Sequence, residues 1–532
     1  MSLFSRVRTI PSAIRTHPIL SGAILLTLSG FVSRILGFFY RMYLSQQIGA
    51  EGMGVYQLIF PVFGVCFSLC CGSIQTAISR HVAAYPPKKV LRSGIALSFS
   101  LACLCAGIVY LGAPWIARNL LMESRCEPLL RTMAWTIPLC SLHSCLSGYY
   151  YGSRQAHIPA MAQLAEQGVR VLTVWLLCRW LMENRQVPSA STAVLGMLCG
   201  EAASLCVSAG YYLLHETRPR TLIRSSGTRF STESPTESIL FHPRPKTDYR
   251  HTASPNYLSQ ILSLAVPLTA TRLGISLLQS AETILIPSRL QRYGLSASQA
   301  LSIYGVLTGM AYPLILFPSA VIQSMAVMLL PDMANSQSQG DQTHIDQTTS
   351  RTITVSLYLG ILCTGLFLFF GEDMGTSLFS DAQAGSYIVI LSWLCPFLYL
   401  STTLGSVLNG LGHTGITFLH HVLSLLSQLI FVLFMVPAIG IRGYLYGLLF
   451  GQLFLAALHL KTVRRLVTIH YRPFHHLLRP LGALGIAVFT AQKITGILPI
   501  PMISLPILRL GISCLTVTGL YFFFLLASRN HL

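Results

Sequence analysis

Residues 19–44 read ILSGAILLTLSGFVSRILGFFYRMYL, and residues 257–286 read YLSQILSLAVPLTATRLGISLLQSAETILI. Both are apolar runs long enough for a membrane-crossing helix, which needs about 20 mainly apolar residues. Both also carry deep arginines: Arg34 and Arg41 in the first run, Arg272 in the second. An arginine at a helix centre costs roughly 2.5–3.5 kcal/mol on insertion scales, so it persists where it meets a cavity or a partner. The two runs thus set the fold class, an all-α polytopic membrane protein, and mark where function is to be sought.

The composition agrees. Of 532 residues, 52% are apolar and only 10% are charged. A soluble domain carries about 25% charged residues. A soluble enzyme and a disordered chain are both excluded. The net charge of +19, from 36 Lys plus Arg against 17 Asp plus Glu, does not call for nucleic acid, because basic residues of membrane proteins collect in cytoplasmic loops. The 14 cysteines form no disulfide framework: Cys66, Cys70, Cys71, Cys103, Cys105, Cys140, Cys145, Cys199 and Cys206 lie in apolar runs, where cysteine behaves as a small hydrophobe. His470, His475 and His476 read as residues of a basic loop. No metal site and no cofactor are expected. Arg6, Arg8 and Arg15 precede a run with no A-x-A-like end, so the first apolar segment reads as a retained helix rather than a signal peptide.

About fourteen such runs follow: 19–44, 54–78, 93–117, 129–153, 159–182, 190–214, 257–286, 299–330, 353–371, 384–409, 414–437, 441–461, 477–498 and 502–527. They are termed spans one to fourteen. Residues 215–256 stand apart, with Ser, Thr, Pro and seven Lys/Arg and no apolar period. They read as a flexible, basic cytoplasmic linker. The expected organisation is an N-terminal lobe at 1–214, the linker at 215–256, a C-terminal lobe at 257–461, and two further helices within 462–532. Basic residues favour both termini in the cytoplasm, the loop around Arg118, Arg125 and Arg131 being the main exception.

The halves carry a weak repeat. Tyr56 and Gln75 are 19 apart in span two, as are Tyr304 and Gln323 in span eight. Pro138 and Gly152 in span four match Pro396 and Gly410 in span ten, each pair 14 apart. Six spans per half makes the repeats parallel. Repeats with a midplane site between them are a transporter signature.

The intramembrane charges are the candidate site. Arg34 and Arg41 are nearly two turns apart and point the same way. Arg272, Ser276, Gln279 and Thr283 form one polar stripe on span seven, with Glu282 beside it. Glu166 and Arg170 on span five are spaced as a helical ion pair, beside Gln163 and Gln167. Glu201 is alone in span six and reads equally as a coupling site or a packed carboxyl. The run Tyr149, Tyr150, Tyr151 reads as interfacial belt. With Glu166 and Arg170 neutralised, arginines lead, and arginine's planar fork suits phosphate. A cavity lined by spans one, two, seven and eight, with Arg34 and Arg272 facing it, is expected. A G-x-x-x-x-G-K-[ST] motif is lacking, so a gradient of Na+ or H+, or membrane potential, is the expected driver.

Several segments resemble a known family: Ser33-Arg34-Ile35-Leu36-Gly37-Phe38 with Arg41; Gly49-Ala50-Glu51-Gly52-Met53-Gly54-Val55-Tyr56 leading to Pro61; Glu166-Gln167 with Val169-Arg170; Thr271-Arg272-Leu273-Gly274; and Tyr304-Gly305-Val306-Leu307-Thr308-Gly309-Met310. They are similar to the stage V sporulation protein B group of polysaccharide-biosynthesis membrane proteins, in the multidrug/oligosaccharidyl-lipid/polysaccharide exporter superfamily, and to the lipid II flippases. The resemblance implies two six-helix lobes in a V plus two C-terminal helices. It implies movement of an undecaprenyl-pyrophosphate-linked sugar, a cell-wall or peptidoglycan precursor, across the bacterial plasma membrane by alternating access. It further implies that Arg34 and Arg272 engage the pyrophosphate and that the segment at about 477–527 shapes a groove for the lipid tail. Arg41 departs by about one position from the family's second arginine, and Glu51 is the nearest acid to the family's Asp near the start of span two. The alternatives are a multidrug and toxin extrusion-like cation antiporter and a non-transporting scaffold for cell-wall assembly.

Overall fold

The computed structural model describes residues 18–82, 85–216, 257–469, 478–497 and 506–527. The first half holds α1 (Pro18–Leu58), α2 (Phe60–Phe67), α3 (Ser73–Val82), α4 (Pro87–Trp115), α5 (Cys126–Gly152), α6 (His157–Glu183) and α7 (Ala190–Glu216). The second holds α8 (Tyr257–Arg292), α9 (Ala297–Gly305), α10 (Tyr312–Leu316), α11 (Ser319–Gln339), α12 (Gln342–Phe379), α13 (Ala382–Leu391), α14 (Leu394–Gly410), α15 (Thr414–Phe434), α16 (Val436–Ile439) and α17 (Ile441–Leu466). Helices α18 (Arg479–Ile497) and α19 (Pro506–Ala527) follow. Wider π-helical turns at Ser68–Gly72, Ile116–Leu120 and Val306–Ala311 interrupt spans two, three and eight. The expected linker lies outside the described residues except for 215 and 216, which continue α7. Arg6, Arg8, Arg15, His470, His475 and His476 also lie outside them.

Nine described helices are long and apolar enough to cross a membrane, or ten if the bent pair α13–α14 is one span. The shortfall from fourteen runs has local causes. Spans one and two join through a single residue, Gly49, whose φ of 68° breaks the helix direction; this backbone costs glycine nothing. The expected loop at 45–53 is therefore mostly helix. Helices α5 and α6 are less apolar for different reasons: α5 is diluted by His143 and several Ser, Thr and Tyr residues, and α6 by Glu166, Arg170, Arg179 and Glu183.

Proline shapes the second half. Span eight, expected as one rod, divides into α9, a π turn, α10 and α11, with Pro318 at the last break. The 53° bend between α13 and α14 sits at Ser392–Trp393, just before Pro396. Proline has no N–H to give the carbonyl four residues back. That carbonyl belongs to Ser392, and the Thr364 hydroxyl of α12 donates to it at 3.0 Å. A neighbouring helix thus supplies what the kink removes.

Helices of the first half pack mainly on one another, as do those from α11 to α17, while α8 packs on both sets and α9 packs chiefly on α1. Equivalent hydroxyl bridges join spans three and four (Ser98–Ser141, 2.8 Å) and spans nine and ten (Ser356–Thr403, 2.6 Å). Such bonds contribute about 0.6 kcal/mol each between membrane helices. Tyr149 and Tyr150 are core residues rather than belt: Tyr150 is fully buried and donates to the Ser208 carbonyl at 2.8 Å, and only Tyr151 is exposed. Packing of α5 on α7 through Tyr211 and Tyr212 covers the other two. Helices α18 and α19 pack on each other and on α12, where the Tyr521 hydroxyl donates to the Tyr358 carbonyl at 2.9 Å. All fourteen cysteines are free.

One end of the interface between the halves is closed by backbone contact. A methyl group built on Gly54 would lie 2.1 Å from the Leu301 carbonyl oxygen, and one on Gly305 would lie 2.0 Å from that of Ala50. Only glycine permits helices to approach so closely. Around this contact Glu51 accepts from Arg125 at 2.7 Å and from Ser298 of the other half. Gln46 donates to the Leu378 carbonyl at 2.8 Å. We call this the Glu51 end, and the opposite one the linker end.

Candidate functional site

Behind the closed end lies a cavity of about 1210 Å3. Spans one, two, seven and eight line it, as expected, but so do α14, α15 and α17. The space therefore leans into the second half. Its charged lining residues are Arg34, Arg41 and Glu282, with His421 beside them.

Arg34 is exposed to the cavity and donates to the Gln323 side-chain oxygen of α11. That Gln closes the Tyr-x18-Gln repeat element of span eight, so a repeat residue from one half holds the arginine of the other. Gln279 and Glu282 of α8 line the same space. Glu282 is buried, and the Tyr444 hydroxyl of α17 donates to it. It does not pair with Arg272.

Arg272 lies outside the lining. It is seven residues, about 10 Å, nearer the linker end than Gln279. Its guanidinium rests on the π turn of span two: it donates to the Thr76 hydroxyl at 3.3 Å, and a methyl group on Gly72 would lie 2.2 Å from it. Arg272 is exposed there, as Arg34 is in the cavity. The two arginines thus stand at different depths along the seam between the halves.

The remaining charges sit elsewhere. Glu166 and Arg170 form the expected ion pair inside the first half. Glu201 is buried against them and accepts from the Cys140 thiol. Arg41 reaches from the cavity wall toward this cluster, beside Tyr40, Tyr56 and Arg170. Within this group the Glu166–Arg170 pair neutralises itself, as low-dielectric burial favours. Glu51 belongs to the closed end with Arg125 and Glu123. In that loop the Arg125 guanidinium, 2.8 Å away, holds the Glu123 carboxyl below its ordinary value.

Sequence reasoning passed over the histidines of spans eleven and twelve. His420 and His459 are buried and joined Nδ1 to Nδ1 at 2.9 Å, with His421 against His459 at 5.7 Å between ring centroids. Their signal was available: an ionisable residue within an apolar run is a functional candidate. Gln428 and Gln452 were missed as well; they line the cavity and bond Ser424 and Ser401 at 3.3 and 3.5 Å.

The arrangement can hold a large anionic headgroup. Arg34 supplies charge, Gln, Ser and Thr side chains supply hydrogen bonds, and the lining carboxyl of Glu282 accepts from Tyr444 through one oxygen while the other is buried without a partner among the described residues. An acidic cation site of the kind a drug antiporter needs is not among the described lining residues.

Known proteins agree in fold. Stage V sporulation protein B of Bacillus subtilis (strain 168) is 24% identical over 85% of this chain and 84% of its own length. Lipid II flippase MurJ of the same organism is 21% identical over 81% of each chain. Among solved structures, lipid II flippase MurJ in an inward closed conformation superposes with a TM-score of 0.68 at 15% identity, covering 94% of this chain and 98% of that one. The family model for polysaccharide biosynthesis proteins matches residues 19–337, from the first helix to α11, more than half of the sequence; with its helices, its closed end and its arginine-lined cavity, this chain belongs to that family.

Proposed function

We propose that the protein flips a lipid-linked sugar carried on undecaprenyl pyrophosphate, such as lipid II or a related cell-wall precursor, across the bacterial plasma membrane by alternating access. The observation that carries this reading is the cavity's charge. Arg41 is committed to the buried cluster of the first half, which leaves Arg34, among the described residues, as the cation exposed in a space of about 1210 Å3, more than the 300–1000 Å3 of an ordinary small-molecule pocket. That suits a sugar headgroup on a pyrophosphate. Arg272, nearer the linker end, receives the diphosphate first and Arg34 receives it at the cavity, bidentate contacts being what guanidinium provides. The lipid tail stays in the bilayer, along a groove shaped by α18 and α19. Both termini and the linker at 215–256 face the cytoplasm, so the closed Glu51 end is external.

The relatives support the cargo class: one is named a lipid II flippase, and the other bears a sporulation name. The protein acts as a transporter rather than a catalyst. Full-length protein in proteoliposomes should flip a fluorescent pyrophosphate-linked sugar and not its monophosphate analogue. Arg272→Ala should lower the rate by about a hundredfold, the range of a lost charge-assisted bidentate contact, with Arg272→Lys in between. Glu282→Gln added to Arg272→Ala should restore nothing, since the two do not pair. Restored flipping, or transport of a cationic dye in place of the lipid, sinks the reading.

A further inference from the structure

We propose that His420, His421 and His459 form a proton-binding relay that opens on the cavity through His421 and makes H+ the coupling ion; this rests on the flippase reading above. His421 is exposed and lines the cavity, while His459 behind it is fully buried. The rings of His421 and His459 meet edge to face, and His459 is bonded Nδ1 to Nδ1 with buried His420 at 2.9 Å. The group therefore leads from water in the cavity into the contact between α15 and α17. Each helix contributes, so a change of protonation acts on their packing.

The hydrogen bond fixes what the pair can hold. One Nδ1 carries a proton and donates; the other accepts with its lone pair. The Nε2 of His459 is buried without a hydrogen-bond partner. When His459 is the donor, that nitrogen is a free base. A proton arriving from His421 binds there, and the imidazolium still donates through Nδ1 to His420. The bond survives one added proton. A second must enter at the His420 Nδ1, where it faces an N–H, so the contact between the helices breaks. The pair is a one-proton site whose overfilling separates α15 from α17. Such linked groups titrate as a unit.

The surroundings leave this charge to the histidines. On α14 the nearest groups are Gly405, where a methyl group would lie 3.5 Å from the His459 Nε2, and Asn409, which accepts from Thr417 at 2.6 Å. Neither titrates. On α8, Gly274 faces Phe418 of α15, while Arg272 and Glu282 turn to Thr76 and Tyr444. On α17 itself, Lys461 is exposed and Tyr444 is four turns away. Among the described groups, the charges acting on His459 are those of His421 and His420. Sodium prefers oxygen ligands; three imidazoles with no carboxylate suit a proton instead.

The test uses full-length protein in proteoliposomes with membrane potential clamped at zero, a lumenal pH dye and a pyrophosphate-linked fluorescent sugar. An imposed pH gradient should change the wild-type flipping rate by about tenfold, within the usual range of coupling, and the sugar should move protons. His459→Asn and His420→Asn keep a hydrogen-bonding amide but cannot titrate. Both should lose the gradient dependence and the proton signal while flipping down a sugar gradient persists. Gradient dependence retained in both variants overturns the relay. So does wild-type flipping that ignores the gradient and moves no protons, which leaves the flippase reading standing. If no lipid-linked sugar moves at all, the flippase reading fails alone, and 15N-imidazole titration decides the relay: one shared proton, lost in His459→Asn, supports it, and independent titration of the rings overturns it.

Discussion

The two halves place their polar groups inside the membrane in opposite ways. The first half buries full charges and neutralises them: Glu166 against Arg170, with Glu201 and Arg41 beside them. The second half surrounds its space mostly with uncharged donors and acceptors, among them Gln323, Gln428, Gln452 and the histidines, beside the buried carboxyl of Glu282. A charge cluster that balances itself can be packed tightly. Groups awaiting a partner cannot be, because a buried polar atom left unpaired costs roughly 1–3 kcal/mol. The cavity accordingly opens on the second half, and the first serves as a wall. The two halves thus differ as a braced side and a receiving side.

The largest effect should come from breaking the brace. Arg170→Ala leaves the largely buried Glu166 without its ion-pair partner, a change that costs about 3–5 kcal/mol. Thermal unfolding in detergent should show a large loss of stability. The paired replacement Arg170→Gln/Glu166→Gln should recover most of it. If Arg170→Ala is as stable as the parent, the first half is not braced by charge and the contrast between halves collapses.

In the cavity, where α1 of the first half faces the receiving side, the same kind of substitution should act on transport instead. Arg34 is exposed to the cavity and, among the described residues, is held by Gln323. Arg34→Ala should slow flipping by about a hundredfold, or 2.7 kcal/mol, with the unfolding temperature nearly unchanged. Gln323→Ala frees the guanidinium without removing it, so a smaller loss is expected. Should Arg34→Ala unfold the protein, the arginine is structural and the cavity loses its anion.

Gly305→Ala tests the closure that both halves share. Its added methyl would meet the Ala50 carbonyl at 2.0 Å, and overpacking of this kind costs typically 1–3 kcal/mol. The closed state should be weakened in favour of one open at the Glu51 end. A cysteine introduced at Thr308 should then label faster from that side. Unchanged labelling would mean that the contact does not gate.

Much of this was legible beforehand. The apolar runs place nearly every helix, because the bilayer demands about 20 such residues and nothing else does. Arg34 and Arg170 were visible because charge inside such a run is rare. What the runs hide is how helices break and rotate. Gly49 turns the chain where a loop was expected, and Pro318 splits a span that reads as one. The cavity's lean into the second half depends on which faces of α14, α15 and α17 meet, and their polar residues are too weakly hydrophilic to stand out. The Tyr149–Tyr151 run was misread for a related reason: sequence shows amphipathic aromatics, and only packing shows which are covered.

The smallest effect should be at the rim of the closed end. Arg125 bonds Glu123 and Glu51 in an ion pair network, yet it is 51% exposed. Water and salt screen such a pair, so Arg125→Ala should cost under about 1 kcal/mol. Its pH dependence has a defined sign. Arg125 holds the folded Glu123 carboxyl below the ordinary value of 4.5. The unfolded chain therefore takes up its proton first, and the stabilisation, complete above that ordinary value, is lost as pH falls through the folded one. Unfolding temperatures of parent and Arg125→Ala should differ at pH 7 and converge in acid, and about 1 M salt should bring them together at pH 7 too. A loss as large as that of Arg170→Ala would mean that an exposed rim pair braces the molecule as strongly as the buried cluster does. The distinction between charges packed inside the first half and charges at its surface would then have no energetic basis.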